Sequence, residues 1–342
     1  MERVFLKDNV AVEKVEKFLQ KQSLTMDPFI EEMYVKKING EIVATGALYE
    51  NVLKCIAIED AYKGSGFINE VVGYLTRRCY ELGRMHLFIY TKPLSYQSFE
   101  FLGFKKIAQS ENVVLMENDL MGIEEFLRNL SRHKKTGHIG SIVMNCNPFT
   151  NGHKYLIETA SKECDWVHLF ILMEEKSTFP NDVRVALVEK GIQHLDNVIL
   201  HKVSDYIISA ATFPSYFLKS VDTLTQEHVK LDLDLFGEKI AQALGINCRF
   251  IGDEPFNKTT AIYNEIMKSQ LPTVGIEVIE IPRKEDRLGP ISASTVRRLI
   301  NIGDYGRISQ LVPKSTYDYL LSDAAKSVIE KIKNTYSQEN LV

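Results

Sequence analysis

The sequence predicts a two-part α/β chain, with a mixed α+β unit over residues 1–130 and a parallel-sheet unit over residues 138–342. Three observations point there. The chain has 342 residues, more than one typical domain holds and enough for two cores. Its first third mixes helical and strand periods and includes two strands joined by a short turn. Its remainder alternates strand with helix, the pattern of a parallel sheet carrying helices on both faces.

Each element follows from its residues. Val12, Val15, Phe18 and Leu19 recur at helical spacing within 10–19. Residues 42–49 and 52–58 read as paired strands across a turn. Behind the glycines at 64 and 66 the helical period returns over 67–82, and a strand is expected at 85–90. The polar, basic stretch Ser131-Arg132-His133-Lys134-Lys135-Thr136-Gly137 is the linker candidate. Beyond it the order is strand 139–145, helix 153–164, strand 166–173, helix 182–195 and strand 198–203. A helix around 234–244 and strands at 248–251 and 277–281 complete the series. Ligands of such sheets bind beyond the carboxyl ends of the strands, where the loop Thr150–His153 falls.

Bulk properties narrow the function classes. Hydrophobic residues make up 45% and charged residues 25%, ordinary values for a globular protein. A net charge of -4 argues against nucleic acid as a partner. No stretch approaches the roughly 18 apolar residues of a membrane span, and the first residues lack the apolar core of a signal peptide. Cys55, Cys79, Cys146, Cys164 and Cys248 are scattered and form no C-x-x-C pair. That pattern gives no disulfide framework and no zinc ribbon, and the expected compartment is the cytoplasm.

Two segments carry chemistry. Asn147-Pro148-Phe149-Thr150-Asn151-Gly152-His153 links a buried strand to a helix. Free backbone N–H groups and the positive end of the helix dipole make such a start an anion site. Gly152 is expected to let a ligand approach the backbone, and His153 adds a side-chain donor. Far downstream, Ile291-Ser292-Ala293-Ser294-Thr295-Val296-Arg297-Arg298 offers hydroxyls and guanidiniums at a second helix start. Together they suggest a nucleoside triphosphate held by its phosphates. Asp253 or Glu254, after a strand at the same edge, could hold magnesium or ribose, and Asp253 could equally be a turn residue. Ser292 could act as an N-cap alone. Arg298 could be a solvated neighbour of Arg297 or share its role; the pair Asp232 and Asp234 reads as solvated, Cys146 as a small apolar strand end, and the aromatic stretch 211–217 as core.

The two segments resemble, in order, the T-x-G-H and I-S-x-S-T signatures of the nucleotidylyltransferase superfamily, and Lys176-Ser177-Thr178-Phe179 with Arg184 resembles its phosphate-contacting stretch. The resemblance covers roughly 138–335 and implies a Rossmann-like fold. It implies that Phe149, Thr150, Asn151, Gly152, Asp253, Ser292, Ser294, Thr295 and Arg297 bind ATP. His153, Lys176 and Arg184 would then act on the charge of the in-line transition state, with Mg2+ accompanying the nucleotide and no protein metal site. In the first part, Ala61-Tyr62-Lys63-Gly64-Ser65-Gly66-Phe67-Ile68-Asn69 between strand and helix resembles motif A of the GCN5-related acetyltransferase fold, supported by Ser98-Phe99-Glu100-Phe101-Leu102-Gly103-Phe104. Lys63, Gly64, Ser65 and Gly66 would hold a coenzyme A-like arm. Two departures stand out: Ile68 replaces a small residue, and Phe99 stands where a catalytic tyrosine usually serves as general acid.

This order of domains, with Gly252-Asp253-Glu254-Pro255-Phe256, Tyr263-Asn264 and Ile281-Pro282-Arg283, is similar to the citrate lyase ligase family over nearly the whole chain. That resemblance implies ATP-dependent acetylation of the thiol of a dephospho-coenzyme A-like prosthetic group. The group's carrier would be the acyl carrier subunit of citrate lyase, acetate the acid and acetyl adenylate the intermediate. Two other readings remain: an adenylyltransferase acting on a pantetheine phosphate or mononucleotide, and a non-catalytic nucleotide-binding adaptor of the carrier subunit.

Overall fold

A computed structural model describes residues 1–173, 177–203, 206–207, 221–254, 258–287 and 289–339. The chain forms two compact units. One comprises Met1–Asn129 and the described part of Ile208–Phe236, the other Leu130–Ile207 and Gly237–Val342 within the described residues.

The first unit is built on seven strands: β1 (Glu2–Val4), β2 (Glu32–Ile38), β3 (Glu41–Tyr49), β4 (Val52–Ile58), β5 (Phe88–Thr91), β6 (Lys105–Gln109) and β7 (Val114–Glu117). Their spatial order is β1-β2-β3-β4-β5-β7-β6. Neighbours run antiparallel except β4 and β5, which are parallel and pair at Val52–Phe88 and Leu53–Ile89. A bulge in the β3–β4 ladder lies between Thr45 and Ala47, opposite Cys55, whose φ is 50°. Bulges bend a strand and re-aim its end. Past this one, Ile56–Ile58 and Ile89–Lys92 stand on opposite sides of a cavity of about 660 Å³.

Helix Phe67–Glu81 buries Val71, Val72, Leu75 and Cys79 against that sheet. It lies close to β3, since a Cβ on Gly46 would come within 2.7 Å of Leu75. Helix Asn9–Lys21 covers the other side with Val15, Phe18 and Leu19, and Asp8 caps it by accepting from the N–H groups of Val10 and Ala11. The expected strand at 85–90 begins later, at Phe88, and Met85 is exposed.

One element extends beyond its expected start. The helix read at 234–244 is present as a π turn Phe236–Ile240 and an α-helix Ala241–Leu244, but it is preceded by a further helix, Val221–Leu235, which packs on β6 of the first unit. Its Glu227 is buried and accepts from the Ser110 hydroxyl at 2.6 Å and the Asn112 N–H at 3.1 Å. The solvated face assigned to Asp232 and Asp234 is also corrected, since Asp232 is 3% exposed and Asp234 half-buried. The alternating Leu-Asp pattern there belongs to a helix enclosed on more than one side. The stretch 211–217 lies outside the described residues.

The second unit holds β8 (Ile139–Met144), β9 (Trp166–Leu172), β10 (Val198–Val203), β11 (Cys248–Gly252) and β12 (Glu277–Ile281) in the order β10-β9-β8-β11-β12, all parallel. The first strand is central, with β9 on one side and β11 on the other, so the chain reverses direction of winding there. Crevices form at the carboxyl end of such a strand. Helix Asn151–Glu163 follows β8 directly.

A pair of buried histidines not singled out from the sequence joins β9 to β10. His168 Nδ1 lies 2.8 Å from His201 Nε2. Burial first, then neighbouring positive charge, pushes His168 down to about 4 and His201 down to about 3. Both are therefore neutral in the native state at neutral pH, while the unfolded chain gains protons below about pH 6.5. Their contribution is complete above that value and is lost as pH falls toward 4, at up to about 1.4 kcal/mol per histidine per pH unit. Denaturant titrations from pH 7 to 4 should show this decline, and His168→Phe should flatten it.

Candidate active site

The anion site predicted at the end of β8 is built by a local cap. Thr150, 1% exposed, has an extended backbone and serves as N-cap of helix Asn151–Glu163. Its hydroxyl oxygen accepts from the His153 N–H at 3.3 Å, while the Thr150 N–H donates to His153 Nδ1 at 3.1 Å. This is a capping box with histidine in the place usually held by glutamate. The consequence is chemical. Nδ1 is an acceptor, so the proton of the neutral ring sits on Nε2. Burial and then the Arg283 guanidinium push His153 down to about 4. At neutral pH it is thus an uncharged donor fixed in one tautomer, suited to an oxygen that gains charge.

The second hydroxyl-rich segment is held in the same way. Ser292 caps helix Ala293–Ile302, its oxygen accepting from the Thr295 N–H at 3.1 Å. The Ser292 hydroxyl lies 2.9 Å from both the Ser294 and Thr295 hydroxyls. Ser292 is therefore both a cap and part of a hydroxyl cluster. Tertiary structure brings the two segments together, because a Cβ placed on Gly152 would lie 2.9 Å from the Ile291 carbonyl oxygen. Gly152 thus also admits the backbone of the other signature. Gly152→Ala should push the two loops apart and lower kcat/KM for ATP by about tenfold or more. Circular dichroism should show the helix intact.

Arg297 donates from its Nη1 to the Asn147 carbonyl, so it ties helix Ala293–Ile302 to the β8 loop. Arg298 is exposed. The Asn151 amide donates to the Gln310 carbonyl at 2.9 Å and anchors the helix start to helix Tyr305–Leu311.

Two expectations change. Arg184 is fully buried, and its guanidinium donates to the Phe179 carbonyl at 3.2 Å and to the Asn145 carbonyl, Asn145 Oδ1 and Asn181 Oδ1. It braces the loop from behind instead of facing a phosphate. The Phe149 ring is also fully buried and stacks beside the His153 ring, with centroids 6.2 Å apart. Any contact of Phe149 with a nucleotide would be through its backbone. Asp253 is tied to the segment after β12: Oδ1 accepts from the Arg283 N–H at 2.7 Å, and its carbonyl accepts from Arg283 Nε at 2.6 Å. Lys176 lies outside the described residues. Cys146 belongs to the core, and burial pushes its thiol up, which removes it as a nucleophile.

Arg283 is the site residue that motif reading passed over. It sits after β12, pairs with Glu254 and acts electrostatically on His153. The motif Ile281-Pro282-Arg283 was visible, but only the parallel β11–β12 pairing shows that it returns to this edge. Asp253 and Glu254 are both taken up by Arg283. Among the described residues no cluster of three potential metal ligands lies at this edge.

In the first unit the cavity between β4 and β5 is lined by Lys63, Gly64 and Gly66, with Ile68 and Phe99 also facing it. Gly64 and Gly66 have φ of 81° and 84°, values that side-chain-bearing residues rarely adopt. Helix Phe67–Glu81 starts without a side-chain cap, leaving its first N–H groups for a ligand. Lys63 pairs with Asp60 at 2.5 Å, and the Ser65 hydroxyl donates to the Tyr62 carbonyl at 2.6 Å. Ser65 thus shapes the turn and is not among the cavity's lining residues.

The second unit is a parallel-sheet α/β domain in which two capped helix starts from distant segments meet, the first directly following the central strand; it is joined to an α+β unit with its own cavity. The described "Citrate lyase ligase C-terminal domain" matches residues 139–320. The chain is 41% identical over 322 residues to a citrate (pro-3S)-lyase ligase of Klebsiella pneumoniae, covering 92% of this chain and 94% of that protein. It is 38% identical over 325 residues to the ligase of the same name from Escherichia coli strain K12, covering 93% and 92%. It is 41% identical over 314 residues to that of Haemophilus influenzae, covering 90% and 94%. The chain belongs to the citrate lyase ligase family. No helix among the described residues is long and apolar enough to cross a membrane.

Proposed function

We propose that this chain uses ATP to acetylate the prosthetic-group thiol on the acyl carrier subunit of citrate lyase and so activates that enzyme. Acetate attacks the α-phosphorus of ATP, giving acetyl adenylate and pyrophosphate. The thiol then takes the acetyl group and AMP leaves. The observation that carries the reading is the contact of the two capped helix starts at Gly152 and Ile291, which sets His153 and the hydroxyls of Ser292, Ser294 and Thr295 at one sheet edge.

The residues suit the first step. Acetate, with a pKa near 4, is already ionised at neutral pH, so no base is needed and charge must be stabilised. His153 would donate from Nε2 to an α-phosphate oxygen. The hydroxyl cluster would bind the outgoing β and γ phosphates, and Arg283 and Arg297 supply positive charge beside them. The cavity of the first unit, at about 660 Å³, has the size of a cofactor pocket and would hold the carrier's dephospho-coenzyme A-like arm. Phe99 on its wall cannot protonate a leaving thiolate, which favours binding over amine acetylation.

The test is incubation of the purified chain with ATP, magnesium, acetate and deacetylated citrate lyase. AMP and pyrophosphate should form in step with acetate consumption, and lyase activity should return. An adenylylated small molecule among the products would establish an adenylyltransferase instead. ATP binding without pyrophosphate release would establish an adaptor.

A further inference from the structure

The amino-terminal edge of the second unit's sheet, opposite the capped loops, brings together one nitrogen of His138 and the sulfurs of Cys164 and Cys248, all within 4.8 Å of one another. The three come from separate segments: His138 precedes β8, Cys164 ends helix Asn151–Glu163, and Cys248 opens β11. We propose that they form a structural site for a thiophilic divalent cation, zinc, with water as fourth ligand.

Geometry carries the proposal. The two sulfurs are 3.7 Å apart. Two thiolates each about 2.3 Å from a tetrahedral zinc lie about 3.8 Å from one another. The thiols thus already stand at the separation a shared zinc requires, well beyond the roughly 2.05 Å of a disulfide.

The surroundings are arranged for it. A Cβ on Gly140 would sit 2.8 Å from the Cys164 sulfur, so glycine at that position makes the room. His138 Nδ1 is 2.8 Å from the Glu163 carbonyl oxygen, and its backbone N–H donates to Asp165 Oδ2 at 2.7 Å. A ring that donates from Nδ1 presents its lone pair on Nε2, the usual arrangement of a ligating histidine. The next residue is fixed as well, since the Ile139 N–H donates to Asn247 Oδ1 at 2.9 Å. Charge favours a cation. Cys164 lies at the negative end of the helix dipole, and the carboxylates of Glu163, Asp165 and Glu277 act on the cluster. Binding would release the thiol protons to solvent and pin the starts of two adjacent strands to a helix end.

The site is independent of the proposed reaction. The full chain, reduced and stripped with a chelator, is titrated with zinc chloride and, separately, with cobalt(II) chloride. One zinc per chain, a thiolate-to-cobalt charge-transfer band and a zinc-dependent rise in Tm are expected. Cys248→Ser should weaken zinc by at least about 100-fold, since even loss of a ligand's hydrogen-bond partner costs 10–100-fold. Should that buried substitution misfold, His138→Asn, at an exposed residue, should abolish the Tm rise while leaving the apo protein folded. Zinc content no higher than in the variants, absence of the cobalt band, or recovery of a Cys164–Cys248 disulfide from reduced protein would overturn the proposal.

Discussion

His153→Ala should lower acetate-dependent AMP release by about 100- to 1,000-fold, the usual cost of removing a fixed donor from a charge-developing oxygen. The reasoning rests on the ring's state. With Nδ1 committed to the Thr150 N–H, the Nε2 proton has one direction to point, and no reorganisation is needed when charge develops. The helix should survive, because Thr150 still caps the His153 N–H; the lost return bond is worth about 1 kcal/mol. A thermal melt close to wild type, together with the rate loss, is the expected pair of results. The pH profile adds an independent check. The folded ring is held at about 4, so His153 stays neutral and donor-competent down through pH 6.5. A rate inflection near pH 6.5 that disappears in His153→Asn would show a protonated histidine at work and contradict this assignment.

Arg184 should behave in the opposite way. Truncation to alanine leaves the carbonyls of Asn145 and Phe179 and the side-chain oxygens of Asn145 and Asn181 without their donor in a buried place. Unsatisfied acceptors and the cavity together are expected to cost about 3–5 kcal/mol. For a unit of this size that is a fall in Tm of about 10 °C, read by calorimetry. Arg184→Lys should also destabilise, because one ammonium cannot reach donors arranged as a fork. If Arg184 instead contacted phosphate directly, the lysine variant would keep its Tm and lose only rate. The comparison of His153 with Arg184 therefore separates a residue facing the nucleotide from one bracing the loop.

Why the sequence suggested a catalytic role for Arg184 is plain from its surroundings. It follows Ser177 and Phe179, whose hydroxyl and N–H bond to Asn145 and Asn147. The stretch does lie against the loop after β8, but spacing along a helix does not say which side of a loop a guanidinium occupies. The same limit applies to Phe149, whose ring turns inward. Asp253 is a different case: its bonds to Arg283 are a contact between remote segments, which its position after a strand does not reveal.

Local interactions made much of this protein legible without coordinates. Helix starts at Thr150 and Ser292 depend on a side chain reaching N–H groups three residues on, and the parallel sheet on apolar runs alternating with helices. The glycines at 64 and 66 mark a turn with positive φ, again a local matter. What remained hidden depends on contacts between segments far apart in the chain: Gly152 against Ile291, Arg283 beside His153, the buried pair His168 and His201, and Cys164 facing Cys248 across the start of β8. Helix Val221–Leu235 belongs here too, as its period gives no sign of which unit it covers. Periodicity and capping act over a few residues, and one chain's text records them. Which remote groups meet is decided by close packing and strand order, which no short window contains.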